Sequence, residues 1–320
     1  IESLVQHFKG VKAYLITHGH EDHIGAMPYL LKSWPAPVYC TPWTQLLLKK
    51  KFEKTSVNVG LLKQVKPGET VGLSGLKVQF IHVNHSIPDA CALWITTSQA
   101  SIFHTGDFKI DPTPPGAKSI DLKRIAEIGK KGVDLLITDS TNAHCLGPSL
   151  SEQTVVEPLK KIISQAEGRT ILTTFASNFW RLRIIAEITH QLGKKICLLG
   201  HGINVSFEIA EKLGYYKIPK GVLVDPKKAN TTADKKLVVL ASGSQAESNA
   251  SIARIALGEH QHFALKPKDL FVFSARMIPG NERNINKLMD VLKKHGAEVI
   301  TTHENSKIHV SGHAFQKDLE

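Results

Sequence analysis

The chain has 320 residues, 42% apolar and 22% charged, with a formal net charge of +11 at pH 7. That length and apolar content suffice for one or two sizeable cores, and no apolar stretch reaches the length of a membrane span, so no membrane partner is expected. The charge fits a polyanionic partner and a generally basic enzyme equally well, and the lysines are scattered pairs and triplets such as Lys49–Lys51 and Lys293–Lys294, so charge alone founds no reading.

The opening residues, IESLVQHFKG, lack an initiator Met and run almost at once into strand-like sequence, as expected of a segment cut from a longer protein. Strands follow at KAYLIT (12–17), PVYC (37–40), KVQFIHV (77–83), CALWITT (91–97), SIFHTGD (101–107) and VDLLITD (133–139), separated by turn signals such as KPGE and DPTPPG. A helix is expected over 24–33. Past the LGPS at 146–149 the rhythm changes: strands at 170–175, 195–200, 236–242, 269–275 and 297–302 alternate with helices near 151–167, 179–192, 203–213, 248–257 and 281–295. Apolar strands alternating with helices predict a parallel sheet covered by helices. The cysteines Cys40, Cys91, Cys145 and Cys197 form no C-x-x-C pair, which argues for a reducing, cytoplasmic setting and against a thiolate zinc site.

The stretch "LITHGHEDHIG" places His18, His20, Asp22 and His23 immediately after a strand and before the expected helix. Imidazole and carboxylate together suit zinc or a similar divalent ion. The pattern H-x-H-x-D-H arises by chance in a chain of this composition with a probability of about 0.002, so a merely solvated polar loop carries little weight. Two further candidates sit at strand ends, His85 in "VNHSIPDA" and Asp107 in "HTGDFKID". Asp107 could bridge two cations, one completed by His18, His20 and His85 and the other by Asp22 and His23. Such a pair would serve an in-line displacement. His82 and His104 lie inside strands and read as structural.

These residues resemble the metallo-β-lactamase fold, whose H-x-H-x-D-H signature is followed by a separate His and a bridging Asp. That likeness implies an αββα sandwich, here partial, but not one particular chemistry. In the second half "DSTN" (139–142), "TTFASN" (173–178), "SGSQAE" (242–247), "IPGNE" (278–282) and "HVSGHA" (309–314) resemble the β-CASP nucleases of the ribonuclease J group. The resemblance implies a Rossmann-like parallel-sheet β-CASP domain inserted into the lactamase-like one, with RNA in the cleft between them. The expected boundaries are 1–148 for the first domain, 149–316 for the insertion and 317–320 for the start of the return.

What the resemblance implies chemically is metal-dependent hydrolysis of RNA phosphodiesters, by 5′-to-3′ exonuclease action, endonuclease action or both. A nuclease acting on DNA and a non-catalytic RNA-binding scaffold are the rival readings. Two divalent ions are implied, Zn2+ first and Mn2+ second, lowering the pKa of the attacking water. Asp22 would ligate metal and accept a proton, Asp139 would orient a metal-ligating histidine, and His313 would contact the scissile phosphate or protonate the departing oxygen. Ser177, Asn178, Ser242, Gly243, Ser244 and Gln245 follow apolar strands at turns or helix starts, where open amides and hydroxyls suit phosphate oxygens; each loop alone reads more readily as helix capping, and it is the three together beside a hydrolytic metal site that favour phosphate. Ser274 and His309 are added as lining residues.

The implied partner is single-stranded RNA with a 5′ monophosphate. A homodimer or tetramer through a further C-terminal domain is also implied. The family's N-terminal strands, and a last metal-ligating His in a P-x-H-G-E-like segment, are expected outside this chain.

Overall fold

The computed structural model describes residues 10–320; residues 1–9, read above as the start of a longer protein's segment, lie outside the described residues. The chain divides into two compact units, Ile1–Ser149 with Gly312–Glu320, and Leu150–Ser311.

The first unit opens with β1 (Tyr14–Leu15), α1 (Glu21–Ile24), α2 (Met27–Ser33), β2 (Val38–Cys40), α3 (Pro42–Phe52) and β3 (Leu62–Gln64), whose strands form a parallel sheet in the order β1-β2-β3. The helix expected over 24–33 is two helices. Gly25 N donates to Glu21 O at 2.6 Å to end the first, and Pro28, which has no N–H to give, stands in the first turn of the second. Ile24, Met27, Leu31, Leu48 and Phe52 bury one face of this layer against Val38 and Cys40.

There follow β4 (Thr70–Leu73), β5 (Leu76–His82), β6 (Cys91–Thr96), β7 (Ser101–His104), α4 (Leu122–Lys131) and β8 (Leu135–Ile137). They build a five-stranded sheet in chain order, antiparallel except for the parallel β7–β8 pair. Val78, Phe80 and Leu93 of this sheet pack with Leu15 and Tyr39 of the first. On its other side Ile81, Ala92 and Phe103 pack with Ile125 and Ile128 of α4. Helices, sheet, sheet and helix therefore stack as αββα, as the sequence implies. The first strand is shorter than expected, yet its extension still works: Ile16 N donates to Tyr39 O at 3.0 Å and Cys91 N to Thr17 O at 2.9 Å. The second bond ties the two sheets together one residue before His18.

The second unit runs α5 (Val156–Gln165), β9 (Thr170–Thr173), α6 (Phe179–Gln191), β10 (Lys195–Leu199), α7 (His201–Leu213), β11 (Leu223–Val224), β12 (Leu237–Ala241), α8 (Ser251–Ala256), β13 (Leu270–Phe273), α9 (Glu282–Lys294) and β14 (Glu298–Ile300). Its six strands are parallel in the order β11-β10-β12-β9-β13-β14. The central strands β9, β12 and β13 are buried along their whole length, the pattern of a sheet covered on both faces.

The chain rejoins the first unit at Gly312, earlier than the 317 read from sequence. Local contacts explain the difference. Ala314 is buried with Ile81 and Val83, Asn142 bridges to Phe315, and the backbone amides of Ser149 and Phe315 both donate to Asp318 Oδ2 at 3.0 Å. That carboxylate sits on α10 (Gln316–Leu319). Among the described residues, no helix is long and apolar enough to cross a membrane.

Candidate metal centre

All the candidate ligands belong to the first unit, and most come from the ends of its strands. His18 and His20 follow β1, His85 follows β5, Asp107 follows β7 and Asp139 follows β8. Because α1 begins at Glu21 rather than near Ile24, Asp22 and His23 lie within its single turn.

His20 Nδ1 lies 3.2 Å from His18 Nε2 and 3.0 Å from His85 Nε2. Asp107 Oδ2 is 3.7 Å from His18 Nε2 and 3.8 Å from His85 Nε2. The same oxygen faces the other way to His23 Nε2 at 3.3 Å, which in turn is 3.5 Å from Asp22 Oδ2. Two ligand groups, His18/His20/His85/Asp107 and Asp22/His23/Asp107, thus share one carboxylate, and Asp107 also belongs to a third group with Asp139 and His313. They differ in access: the His18 and His85 side chains are 0% and 1% exposed, whereas Asp22 is 76% exposed.

The protonation chemistry of the first group fits a cation. Gly312 O can only accept, so His85 Nδ1 is the protonated nitrogen at 2.8 Å and Nε2 turns a lone pair inward. Thr17 Oγ1 lies 3.1 Å from His18 Nδ1, and Ser86 Oγ lies 3.3 Å from His20 Nε2. Each outer nitrogen thus has a polar neighbour, leaving the inner ones as donors to a common point. Burial, reinforced by neighbouring imidazoles, pushes His18 down to about 2 and holds His85 well below its ordinary value. Burial also takes His20 down to about 4, although the Asp22 and Asp107 carboxylates pull upward. All three rings are neutral near pH 7, the form that binds metal. One hydrogen bond could satisfy only one of the facing nitrogen pairs, while a divalent ion satisfies all. Zinc–nitrogen bonds of about 2.0–2.1 Å in a tetrahedron separate the donors by about 3.3 Å, close to the spacing observed. The residues of this group fit a divalent cation.

His313 stands beside this cluster, its ring centroid 5.0 Å from that of His85. Its Nδ1 is 2.8 Å from Asp139 Oδ2. Burial opposes charge on His313, but the Asp139 hydrogen bond and the charges of Asp139, Asp107 and Asp22 outweigh it and raise its pKa. Burial likewise opposes charge on Asp139, and the hydrogen bonds from His313 and Thr141 lower its pKa nonetheless. The histidine that the Asp139 carboxylate meets is His313, and these two with Asp107 form a further candidate ligand group. His82 and His104 are engaged locally, His82 Nε2 with Lys118 O at 3.1 Å and His104 Nδ1 as acceptor from Gly106 N at 2.9 Å.

The loops of the second unit, described by themselves, give several of the expected phosphate-binding side chains local partners. Asn178 Oδ1 caps α6 by accepting from Arg181 N at 3.1 Å. Ser242 Oγ accepts from Ser251 N at 3.3 Å, at the start of α8. Gln245 Nε2 donates to Arg276 O at 3.0 Å and its Oε1 accepts from Ile278 N at 2.9 Å, pinning one loop to the next. Ser274 is fully buried, donating to Ile308 O and accepting from Arg181 Nη1, each at 2.6 Å. These four side chains are committed to the fold. Gly243 is required by geometry: its φ is +112°, and a Cβ there would sit 2.5 Å from Ile252 Cγ2. Ser244 is buried, His309 is half-buried, and Ser177 is exposed.

Sequence reasoning missed three groups around the cluster: the Thr17 and Ser86 hydroxyls and the Gly312 carbonyl. Their adjacency to His18, His85 and His313 in the chain was the available signal. In the second unit it missed Arg181, which joins Glu152, Ser274, Ile308 O and Val310 O.

A four-layered αββα unit with a nitrogen-rich, carboxylate-bridged ligand cluster at its strand ends defines a metallohydrolase-type fold, here carrying an inserted parallel-sheet unit. Residues 2–154 match the beta-lactamase superfamily domain, and residues 167–292 match the beta-CASP domain of ribonuclease J. The chain thus carries a beta-lactamase superfamily domain and, after it, a domain of the ribonuclease J beta-CASP kind. It is 37% identical over 310 residues to Ribonuclease J of Helicobacter pylori strain J99, covering 96% of this chain and 45% of the relative. Ribonuclease J 1 of Streptococcus pyogenes serotype M3 is 38% identical over 316 residues, covering 98% and 56%. Ribonuclease J of Mycobacterium tuberculosis H37Rv is 36% identical over 310 residues, covering 97% and 55%. The chain spans about half the length of the curated relatives it matches. Its fold is also similar to a crystal structure of a protein of unknown function from Enterococcus faecalis V583. That match has a TM-score of 0.66 and 14% identity, and covers 96% of this chain and 71% of the other.

Proposed function

We propose that the chain carries the hydrolytic centre of a ribonuclease J-type enzyme that cleaves phosphodiesters of single-stranded RNA, from a 5′-monophosphorylated end, internally, or both. The observation that carries this reading is the Asp107 oxygen shared by two ligand groups, in a chain whose inserted domain matches the ribonuclease J family. His18, His20, His85 and Asp107 would hold one divalent ion, and Asp22, His23 and Asp107 would hold the other. Zn2+ is the first choice for the nitrogen-rich group and Mn2+ the alternative. When bound, such ions supply Lewis acidity toward phosphoryl oxygens and lower the pKa of water.

The protein's own residues then do the rest. His85 is kept in one tautomer by Gly312 O, and the closed first group excludes water from its donors. Asp22, exposed on α1, is placed to accept a proton as well as to ligate. His313, whose charged form Asp139 favours, donates its Nε2 proton to the departing oxygen or stabilises charge on the phosphate. In the second unit, RNA phosphates are met by the exposed Ser177 hydroxyl and by main-chain amides of the 242–245 and 274–279 loops rather than by the committed side chains. The four cysteines are free of disulfides, in keeping with a cytoplasmic setting.

The test compares 5′-monophosphorylated and 5′-hydroxyl RNA, matching DNA, a thioester and a lactone, each with Zn2+ or Mn2+ and with a chelator control. RNA cleavage that disappears with chelator and in His20→Ala and Asp107→Ala supports the reading. Cleavage of DNA alone, or of an ester alone, overturns it.

A further inference from the structure

A cavity of about 560 Å³ opens on the first unit beside α1, lined by Tyr29, Lys32, Lys51, Lys54, Ser56 and Glu21. Glu21 of the lining shares the single turn of α1 with the ligand residues Asp22 and His23. Tyr29 and Lys32 are three residues apart on α2 and share a face. Lys51 lies in the last turn of α3, and Lys54 follows just beyond it. Lys51 Nζ is 2.6 Å from Glu21 Oε1. Among the described residues, Lys32 and Lys54 have no carboxylate partner. The lining is therefore net positive, and at its rim the Tyr29 ring is 66% exposed. An exposed aromatic beside unpaired lysines, around a concave space, is the combination that holds single-stranded nucleic acid: the ring stacks a base while the ammonium groups meet phosphates. A surface evolved only for an acidic protein segment would use the lysines and leave the ring idle.

We propose that this cavity is a strand-holding subsite for single-stranded RNA, in which Tyr29 stacks a base and Lys32, Lys51 and Lys54 meet the phosphates flanking it. The inference rests on the reading of the chain as an RNA hydrolase and adds a second place on the first unit where the strand is held. None of its side chains is a ligand candidate, so the subsite contributes affinity and register, not bond cleavage.

Fluorescence anisotropy of a labelled, phosphorothioate-linked oligouridylate on the metal-loaded 320-residue protein tests it, with melting curves to confirm folding. Tyr29→Ala weakens binding by about tenfold, and Tyr29→Phe restores it. The double variant Lys32→Ala/Lys54→Ala flattens the slope of log affinity against log salt by about 1.4, the counterions of two single-strand phosphates. If the wild type binds and cleaves RNA but these variants match it in affinity and slope, the subsite is wrong and the hydrolase reading stands. If Tyr29→Ala has no effect while polyglutamate competes as well as RNA, the cavity is an acidic-protein surface and the subsite is again wrong. A wild type that neither binds nor cleaves RNA overturns both.

Discussion

His313 Nδ1 and Asp139 Oδ2 meet at 2.8 Å across 174 residues of sequence. Asp139 lies two residues past β8, the last strand before the insertion, with its amide donating to Thr105 Oγ1 at 3.0 Å and its Oδ1 accepting from Thr141 N at 2.9 Å. His313 comes just after the chain rejoins the first unit at Gly312. The contact therefore fixes the ring of a residue that arrives late to a carboxylate already held by the sheet, and it keeps that ring next to His85.

Asp139→Asn is expected to lower the pKa of His313, read from its ring resonances in an NMR titration of the metal-free protein. The stability contributed by the pair follows from the two directions. His313 is raised above its ordinary 6.5, so its share is full below that value and fades as pH rises through the folded pKa. Asp139 is depressed below its ordinary 3.8, so its share is full above that value and fades as pH falls through the folded pKa. The gap in melting temperature between wild type and Asp139→Asn should accordingly be widest between 3.8 and 6.5. A gap that widens above that window would contradict the assigned pairing.

Metal content should separate the two ligand groups. Asp107→Ala removes the shared oxygen and should lower the content of both positions, whereas His23→Ala should spare the buried group and His85→Ala should affect mainly that group. Plasma mass spectrometry after exhaustive dialysis, paired with melting in the presence of Zn2+, reads this directly. A ligand that binds only the folded state at 100 times its Kd stabilises by about 2.7 kcal/mol, and Asp107→Ala should forfeit that gain. Full metal content in Asp107→Ala would remove the bridge from the scheme.

The sequence displayed the cluster because a metal needs particular side chains, and those cannot be disguised: His18, His20, Asp22, His23, His85 and Asp107 all converge. Its backbone partners were harder to read, since the carbonyl of Gly312 is chemically anonymous until the chain is folded against His85. The alternation of apolar strands and helices in the second half showed its parallel sheet. Two helices of the first unit went unread. In α3 the apolar residues Leu46, Leu47 and Leu48 are consecutive and followed by three lysines, so helical periodicity is weak; burial of Trp43, Leu48 and Phe52 decides it. In α4 the cue was present, an Asp121 cap accepting from Arg124 N, but strand-rich surroundings masked it. The loop side chains Asn178, Ser242 and Gln245 show why such residues are hard to read, because those that suit phosphate also cap helices and pin turns.

The second unit should depend on a buried ion pair. Arg169 is fully buried, with Nε 2.7 Å from Asp269 Oδ1, Nη2 2.5 Å from Asp269 Oδ2 and 2.7 Å from Ala264 O, and its guanidinium lies 4.1 Å from the Phe263 ring centroid. Asp269→Ala leaves that guanidinium buried without its counter-charge, a loss expected to cost about 3–5 kcal/mol. Urea denaturation of this variant should show a correspondingly lower midpoint. A shift worth less than about 1 kcal/mol would mean that water or a neighbouring group relieves the charge.

Gly312→Ala probes how closely the returning chain must approach the ligand cluster. A Cβ at this position would sit 3.0 Å from His85 Nδ1, 3.1 Å from His85 Cε1 and 3.1 Å from Ser86 Cβ. Either the imidazole or the Gly312 carbonyl must then move by a few tenths of an ångström, and the 2.8 Å hydrogen bond that fixes the His85 tautomer is the contact most exposed to that movement. Loss of an outer partner of a metal-bound histidine typically costs about 10- to 100-fold in metal affinity. Gly312→Ala should therefore weaken metal binding to that extent while the circular dichroism of the protein stays that of the wild type. Competition with a chromophoric zinc chelator measures the affinity. Wild-type affinity in this variant would show that the His85 ring is held by the rest of the cluster rather than by the returning backbone.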